Sequence, residues 1–218
     1  GEVIVKAFTL DMMEVDSVSD AILFSPQRIP TLPGWGEPDA LRSLQSLPGV
    51  SSSDESAANL NIQGGSPDQN LILWDKIPIY HSGHFFGFYS FINPYVVQDI
   101  NLHRAGFGAE YGGRVSGVID IEGKPKSVEK PHFGLGLNLI NAHAFAEIPL
   151  LDNQLQLLFA ARRSFTDRVQ SQPFNALFDR VFQRGGIAEQ IKFADEEEDE
   201  DNIFSETNFF YQDYNAKV

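Results

Sequence analysis

The order of β-favouring runs and glycine turns between Asn59 and Lys124 constrains the fold more than any other feature of this sequence. Leu60-Asn61-Ile62 precedes a Gly64-Gly65 turn, and the apolar run from Leu71 to Tyr80 is interrupted by an Asp-Lys pair. A second pair of glycines leads into Val118–Ile121. Short β-favouring runs bounded by turn residues predict strands that are joined by tight turns.

Two short helices are expected between these strands. Before Pro48 and after a proline suited to the first helical position, apolar residues recur at helical spacing, namely at Ala40, Leu41, Leu44 and Leu47. Asn93-Pro94 combines an N-cap with a proline at the first helical position, which predicts a helix over Tyr95–Gln98 and then a strand over Asp99–His103. Strands interleaved with short helices indicate an α+β or α/β core.

The pattern changes after Lys126. Apolar residues alternate with Gly or Asn from Phe133 to Leu139, and the alternation resumes from Leu155 to Ala161 beyond a short turn at Leu151–Asn153. Period-two segments of about ten residues with a tight turn are typical of a membrane-spanning β-hairpin with that turn on the periplasmic side. A third strand is expected to begin at Phe209, after a loop of roughly forty residues.

Composition excludes several classes of function. Lys and Arg total 16 against 30 Asp and Glu, and the net charge of -14 disfavours binding to nucleic acid phosphates. Part of the acidic excess is the block Asp195–Asp201, which is expected to be a solvated loop. The absence of cysteine excludes disulfides, thiolate metal sites and a Cys nucleophile. The first residue is Gly1, which predicts a mature or trimmed product.

The segments Leu60–Asn70, Leu71–Tyr80 and Ala109–Ile121 resemble the plug domain of TonB-dependent outer-membrane receptors. The resemblance implies an α+β plug domain, with a small mixed sheet and short helices, followed by the first antiparallel strands of a transmembrane β-barrel. We expect a Ton-box-like segment and linker over residues 1–27, the plug over 28–125, and barrel strands with a long acidic extracellular loop over 126–218. Barrels that hold a folded plug have about 22 strands, so the chain is expected to be the N-terminal part of a larger receptor.

This resemblance implies gated uptake, without enzymatic chemistry or a cofactor, of a scarce ligand such as an iron chelate, a corrinoid or a glycan. The implied location is the outer membrane of a Gram-negative bacterium, with the plug inside the barrel lumen. Expected partners are the periplasmic domain of TonB, the remainder of the β-barrel, the transported ligand and outer-membrane lipid, but not nucleic acid.

Three groups of residues receive expected roles from the resemblance. The segment similar to a Ton box, which TonB is expected to bind, is Glu2, Val3, Ile4, Val5, Lys6 and Ala7. The expected ligand contacts, in a loop that would face the extracellular mouth, are His81, His84, Phe85, Phe86 and Tyr89. The charges expected to dock the plug against the barrel are Arg104, Glu110 and Arg114.

Two positions depart from the pattern of the plug family. Gln63 replaces the Arg that usually precedes the first turn, and Lys76 replaces a Gly after the Asp of the second strand pair. A turn that needs positive φ would strain this Lys by about 1 kcal/mol.

One alternative function is a zinc hydrolase that uses His81 and His84. Another is a soluble secreted glycan-binding module, in which Trp35, Trp74 and Tyr89 would stack on sugars.

Overall fold

The computed structural model of this 218-residue chain describes residues 13–15, 21–26, 39–53, 56–81, 83–85, 87–124, 129–138, 140–152, 154–169, 172 and 210–218. The Ton-box-like segment, Trp35, Phe86 and the acidic block at 195–201 lie outside these residues. None of the described helices is long and apolar enough to cross a membrane.

Strands dominate the described part of the chain. In chain order they are β1 (Met13–Val15), β2 (Ile22–Phe24), β3 (Val50–Ser51), β4 (Asn61–Ile62), β5 (Leu71–Trp74), β6 (Ile77–Pro78), β7 (Gly83–His84), β8 (Tyr89–Ser90), β9 (Val97–His103), β10 (Val118–Gly123), β11 (His132–Leu137), β12 (Asn141–Leu150), β13 (Leu155–Ser164) and β14 (Gln212–Lys217). The helical elements are α1 (Ala40–Ser43) and 3-10 turns at Leu44–Ser46, Pro67–Gln69 and Pro94–Val96.

The described residues up to 124, here the N-terminal domain, form a mixed sheet in the order β1-β2-β9-β10-β5-β6. The β5–β10 pair is parallel and the other pairs are antiparallel. Strands β3–β4 and β7–β8 form two further small antiparallel pairs. The small mixed sheet with short helices confirms the predicted α+β fold.

Helix α1 covers one face of this sheet. Asp39 caps its first turn, since one carboxylate oxygen accepts from Arg42 N at 2.9 Å while the other accepts from Ser90 N at 2.9 Å. The predicted apolar face is confirmed, because Ala40, Leu41, Leu44 and Leu47 are all buried in the core. Their partners from the sheets are Ile22, Phe24, Ile62, Ile100, Leu102, Ile119 and Ile121.

The second predicted helix, Tyr95–Gln98, was wrong in type and length. Asn93 does cap a turn, since its side chain accepts from Tyr95 N at 3.0 Å. The turn is a 3-10 turn that ends at Val96, and β9 begins at Val97, opposite Gly123 of β10. Both valines are fully buried, so sheet pairing overrides the local helix signal.

The second sheet, here the strand wall, is antiparallel in the order β11-β12-β13-β14. The sequence predicted three strands in this region, and that count was wrong. The chain reverses before β12, because Asn138 Oδ1 accepts hydrogen bonds from Ile140 N at 2.8 Å and Asn141 N at 2.7 Å. An Asn side chain that binds nearby backbone amides mimics a turn. The predicted tight turn after Leu150 is confirmed between β12 and β13.

The two faces of the strand wall differ in polarity. Its outer face exposes large apolar side chains, among them Phe133, Leu135, Leu137, Phe159 and Tyr214. The inner face lies against the N-terminal domain and carries three layers of cross-strand neighbours: His143, Arg162 and Asp213, then Phe145, Ala160 and Asn215, and finally Glu147, Leu158 and Lys217. The sheet is therefore apolar outside and largely polar inside.

Two glycines in β11 make room for the inner face. A Cβ at Gly134 would lie 2.1 Å from the Phe145 ring, and a Cβ at Gly136 would lie 2.2 Å from the His143 ring. Both distances are far inside van der Waals contact, so the rings can cross β11 only because these positions lack side chains. In β11, the glycines of the alternating pattern therefore face the packed rings, and the apolar residues between them are exposed on the other face.

Candidate functional site

The upper inner layer of the strand wall joins the N-terminal domain through the Asp213 carboxylate and the Arg162 guanidinium. Arg162 Nε and Nη2 donate to Asp213 Oδ2 at 2.9 and 2.6 Å, and Nη2 also donates to Ser90 O at 2.8 Å. The other oxygen of Asp213 lies 2.5 Å from His84 Nε2. Asp213 therefore bridges an arginine of the wall and a histidine of β7. A buried arginine with this many partners meets the condition for keeping a charge away from water.

Tyr211 packs this group of polar side chains from one side. Its ring stacks on the His84 ring with centroids 4.6 Å apart and an interplanar angle of 11°. The Arg162 guanidinium lies 5.2 Å from the Tyr211 centroid, and Asn141 Nδ2 donates to the Tyr211 hydroxyl at 2.9 Å. Tyr89 is also close, with its ring centroid 5.8 Å from that of Tyr211. These contacts hold the Tyr211 ring against the Arg162–Asp213 ion pair.

The other two inner layers contact the N-terminal domain in different ways. In the aromatic layer, the Tyr95 ring stacks on Phe145 at 5.6 Å and, from the layer above, on His143 at 4.2 Å.

The lower layer forms ion pairs across the same interface. Lys124 Nζ lies 2.6 Å from Glu147 Oε1, and Lys217 Nζ lies 2.8 Å from Asp75 Oδ2. Lys217 also donates to Gly123 O at 3.2 Å. The Lys217–Asp75 pair is about one-third exposed on each side, whereas the Arg162–Asp213 pair is almost fully buried. The Lys124–Glu147 pair is intermediate, with side chains 17% and 5% exposed, so the upper layer is the most deeply buried polar attachment between the two parts of the described chain.

A cavity of about 490 Å³ opens beside the upper layer. It is lined on one side by residues of the N-terminal domain, including Tyr80, His81, His84 and Phe85, and on the other by Phe210 and Tyr211. The side chains of Tyr80 and Phe210 are 86% and 47% exposed.

Of the predicted ligand contacts that the structure describes, His81, His84 and Phe85 line the cavity. His81 is exposed. Phe85 and Tyr89 are buried, and Phe85 packs edge-on against Phe88 with ring centroids 6.5 Å apart. A ligand role for these residues stays a prediction. The cavity also contains Tyr80 and Phe210, which were not among the predicted ligand contacts.

The predicted docking charges lie on one loop of the N-terminal domain. Arg104 Nη1 donates to Pro48 O at 2.9 Å, and Arg114 Nη1 donates to Gly113 O at 3.0 Å. Glu110 is exposed. Their docking role stays a prediction, while the contacts with the strand wall come from other charged residues, among them Arg162, Asp213, Glu147, Lys124 and Lys217. Period-two alternation marked these strands, but it did not show which charged residues share a face.

The turn at Lys76 shows why a lysine is tolerated there. Asp75 and Lys76 have φ of 46° and 69°, and Gln63, the other departure from the family pattern, has φ of 50°. The Lys76 ammonium forms an ion pair with Asp120, whose side chain is 1% exposed. Tyr111 donates its hydroxyl to the same carboxylate oxygen at 3.3 Å. The strained backbone at Lys76 thus places a cation over a buried carboxylate.

The ion pair and burial also change proton affinities in this cluster. The hydrogen bond to Asp120 raises the pKa of Lys76 above its ordinary value of 10.5, despite the opposing effect of burial. Burial raises the pKa of the Tyr111 hydroxyl.

His81 and His84 are the two residues that the zinc hydrolase hypothesis would use to bind a metal ion. The rings of His81 and His84 are 6.4 Å apart between centroids. Among the residues that the structure describes, no group of three His, Asp or Glu side chains is placed to hold a metal ion.

Several solved outer-membrane proteins are similar to part of this chain. The siderophore receptor PirA from Pseudomonas aeruginosa is 19% identical, with 66% of this chain and 27% of that chain covered and a TM-score of 0.44. The outer membrane transporter YddB from Escherichia coli is 17% identical, with 66% and 26% covered and a TM-score of 0.48. The alcaligin outer membrane receptor FauA from Bordetella pertussis is 14% identical, with 70% and 27% covered and a TM-score of 0.49.

The match thus spans about a quarter of the length of these proteins. No curated protein matches the chain. Residues 34–119 match the family model described as TonB-dependent Receptor Plug Domain. This match covers α1, strands β3 to β9, the start of β10 and the loop that lines the cavity. The match identifies residues 34–119 of the N-terminal domain as a TonB-dependent receptor plug domain.

Proposed function

We propose that this chain is the N-terminal part of a TonB-dependent outer-membrane receptor, whose plug gates energy-coupled uptake of a scarce ligand through a β-barrel. The main observation that supports this proposal is the polarity of the two faces of the strand wall. Its outer face is apolar and exposed, and its inner face contacts the plug through ion pairs and stacked rings. Alternation of lipid-facing apolar and lumen-facing polar residues is the pattern of an outer-membrane barrel.

The same arrangement supports the proposed location and partners. Lipid of a Gram-negative outer membrane would cover the outer face, and the remainder of the barrel would pair with the open edges of β11 and β14 and surround the plug in the lumen. In this proposal the Ton-box segment and linker lie within residues 1–27, whose strands β1 and β2 pair into the plug sheet. Residues 28–125 form the rest of the plug, and 126–218 form the first barrel strands with an extracellular acidic loop. The receptor performs no bond chemistry.

Gating requires that the plug be held firmly at rest and still be displaced when energy is supplied. The buried upper layer and the more exposed lower layer supply contacts of graded burial for this purpose. Uptake would begin when the periplasmic domain of TonB binds residues 2–7 as an added β-strand, in which backbone hydrogen bonds supply affinity. Pulling on that strand would then move part of the plug, while ligand recognition at the mouth is unaffected.

The soluble glycan-binding module explains the outer face less well. Leu135 is 88% exposed and lies in a row with other large apolar side chains. A soluble protein with such a contiguous row would risk association through it, whereas lipid satisfies it.

The proposal is tested by Ile4→Pro in the full-length receptor. Proline removes a backbone donor and fixes φ, so pairing with TonB should be lost while the distant mouth is unchanged. We expect unchanged binding of ligand to whole cells and loss of accumulation inside them. Ile4→Ala keeps the backbone donor and is the matched control, with uptake near that of the wild type. Normal uptake by Ile4→Pro would contradict the assignment of TonB binding to residues 2–7.

A further inference from the structure

The cavity between the plug and the strand wall has an unusual lining for the mouth of an uptake protein. None of the residues that line it in the described structure is Lys, Arg, Asp or Glu. The polar side chains that line it carry phenol, imidazole and, at Asn59, amide groups, which both donate and accept hydrogen bonds. A site built for an anionic chelate would instead present Arg or Lys, whose cations recognise carboxylate and phosphate groups.

Among the described charged residues, Arg162 and Asp213 contact side chains of the cavity lining, and they are paired with each other. Arg162 is 3% exposed and directs its guanidinium to Asp213 and to Ser90 O. Asp213 is shared between Arg162 and His84. Neither charge can bind a ligand without breaking the attachment between plug and wall. The whole chain carries a net charge of -14, which further disfavours the approach of an anion.

The accessible rings of the cavity face it from opposite parts of the chain. Tyr80 belongs to the plug and Phe210 precedes β14, and both are substantially exposed. Tyr211 is buried and is already stacked on His84, so its ring belongs to the attachment rather than to the open site. Two exposed rings with a neighbouring imidazole from His81 supply flat apolar surfaces beside groups that can bind hydroxyls.

From this lining we infer that the cavity binds an uncharged carbohydrate, with sugar rings packed on Tyr80 and Phe210 and hydroxyls bonded to His81. Sugar rings present C–H faces to aromatic rings and hydroxyls at their edges, which matches both kinds of surface in the cavity. This inference rests on the proposed receptor function and names its ligand class. It also assigns recognition to Tyr80 and Phe210, and it assigns Tyr89 and Phe85 to packing.

The test uses the purified full-length receptor in detergent and two ligand pools. One pool contains neutral oligosaccharides released from plant and microbial polysaccharides, and the other contains ferric catecholate chelates and cobalamin. Retained ligands are identified by mass spectrometry after unbound material is removed, and the affinity of each retained ligand is then measured by calorimetry. We expect the wild type to retain neutral oligosaccharides.

Variants then locate the site. Tyr80→Ala and Phe210→Ala should each weaken oligosaccharide binding about tenfold, because each removes a stacking surface. Tyr80→Phe keeps the ring and should retain most of the affinity. Tyr214→Ala is the matched control, since it removes an exposed aromatic ring from the outer face of the adjoining strand β14. Thermal unfolding of every variant should match the wild type.

Each other result overturns the inference. Retention of a chelate or cobalamin instead of a sugar would refute the carbohydrate class and leave the receptor function standing. Sugar binding that is equally reduced by Tyr214→Ala, or unaffected by Tyr80→Ala and Phe210→Ala, would place the ligand elsewhere. Retention of nothing from either pool would count against both the ligand class and the receptor function.

Discussion

The plug and the strand wall bury opposite kinds of residue. In the plug, Ile100 and Ile119 are fully buried within a continuous apolar core. In the wall, Leu135 is almost fully exposed, whereas Arg162 is 3% exposed. The plug therefore has its own apolar core, whereas the wall exposes large apolar side chains and buries charged ones.

Two adjacent arginines of β13 reproduce this contrast within one strand. Arg162 points to the plug and binds Asp213, and Arg163, whose side chain is 38% exposed, pairs with Asp167 four residues later. Replacing Arg162 with Ala leaves the buried Asp213 carboxylate without its main partner, which should cost about 3–5 kcal/mol. Arg163→Ala removes an exposed pair and should cost less than about 1 kcal/mol.

Hydrogen exchange of β7 and β8 in the full-length receptor measures this difference. We expect a large loss of protection in Arg162→Ala and wild-type protection in Arg163→Ala. Equal protection in the two variants would show that the upper layer does not attach the plug to the wall.

The outer face of the wall allows a second comparison. Leu135→Arg places a charge where lipid is proposed to lie, at a cost of about 2–4 kcal/mol near the bilayer midplane. Glu129→Arg also places an arginine at an exposed position, but it lies before β11 begins and should cost almost nothing. Assembly into liposomes, followed by gel mobility with and without heating, reports folded receptor. Normal assembly of Leu135→Arg would mean that this face meets water.

Lys76→Gly opposes two effects within the plug and should have the smallest consequence. Glycine relieves about 1 kcal/mol of backbone strain at φ of 69°, but it leaves Asp120 buried without its cation. Loss of one hydrogen-bond partner from a buried acceptor costs about 1–3 kcal/mol, and Tyr111 still donates to Asp120, so the variant should be destabilised by about 1 kcal/mol at pH 7. Lys76→Met, which keeps the strain and loses the charge, should be destabilised further. A variant Lys76→Gly that is more stable than the wild type would show that strain outweighs the ion pair.

The pH dependence of this difference follows from the raised pKa of Lys76. A group whose folded pKa exceeds its unfolded pKa contributes fully below the unfolded value, here 10.5, and loses that contribution as pH rises through the folded value. The stability gap between the wild type and Lys76→Gly should therefore be constant near neutrality and should close above about pH 10.5. Urea unfolding at a series of pH values measures it.

Local patterns predicted the plug well because its signals are short in range. The apolar spacing of α1, the Asn93 cap and the turn at Asp75 each involve residues that are close in sequence. The helix predicted at Tyr95 failed because long-range pairing of β9 with β10 begins at Val97. The turn at Asn138 was missed because alternation on both sides of it is similar.

The site was less predictable than the fold. His81 and His84 were found from their chemistry, whereas Phe210 and Asp213 reach the same place only through the pairing of β13 with β14. No local pattern reports that pairing, since the strands are separated by a long loop. Exposure was also inaccessible from sequence, which is why buried Phe85 and exposed Tyr80 could not be told apart.

The bridge through Asp213 sets an order for assembly of the receptor. His84 and Asp213 are 129 residues apart, and Asp75 and Lys217 are 142 residues apart. Contacts over such separations close a longer loop than the longest-range pairing of the plug sheet, that between Ile22 and Leu102, so we expect them to form later. A folded plug would then serve as the surface on which β14 finds its place. Weakening Asp213 would slow closure of the wall while the plug continues to fold at its own rate.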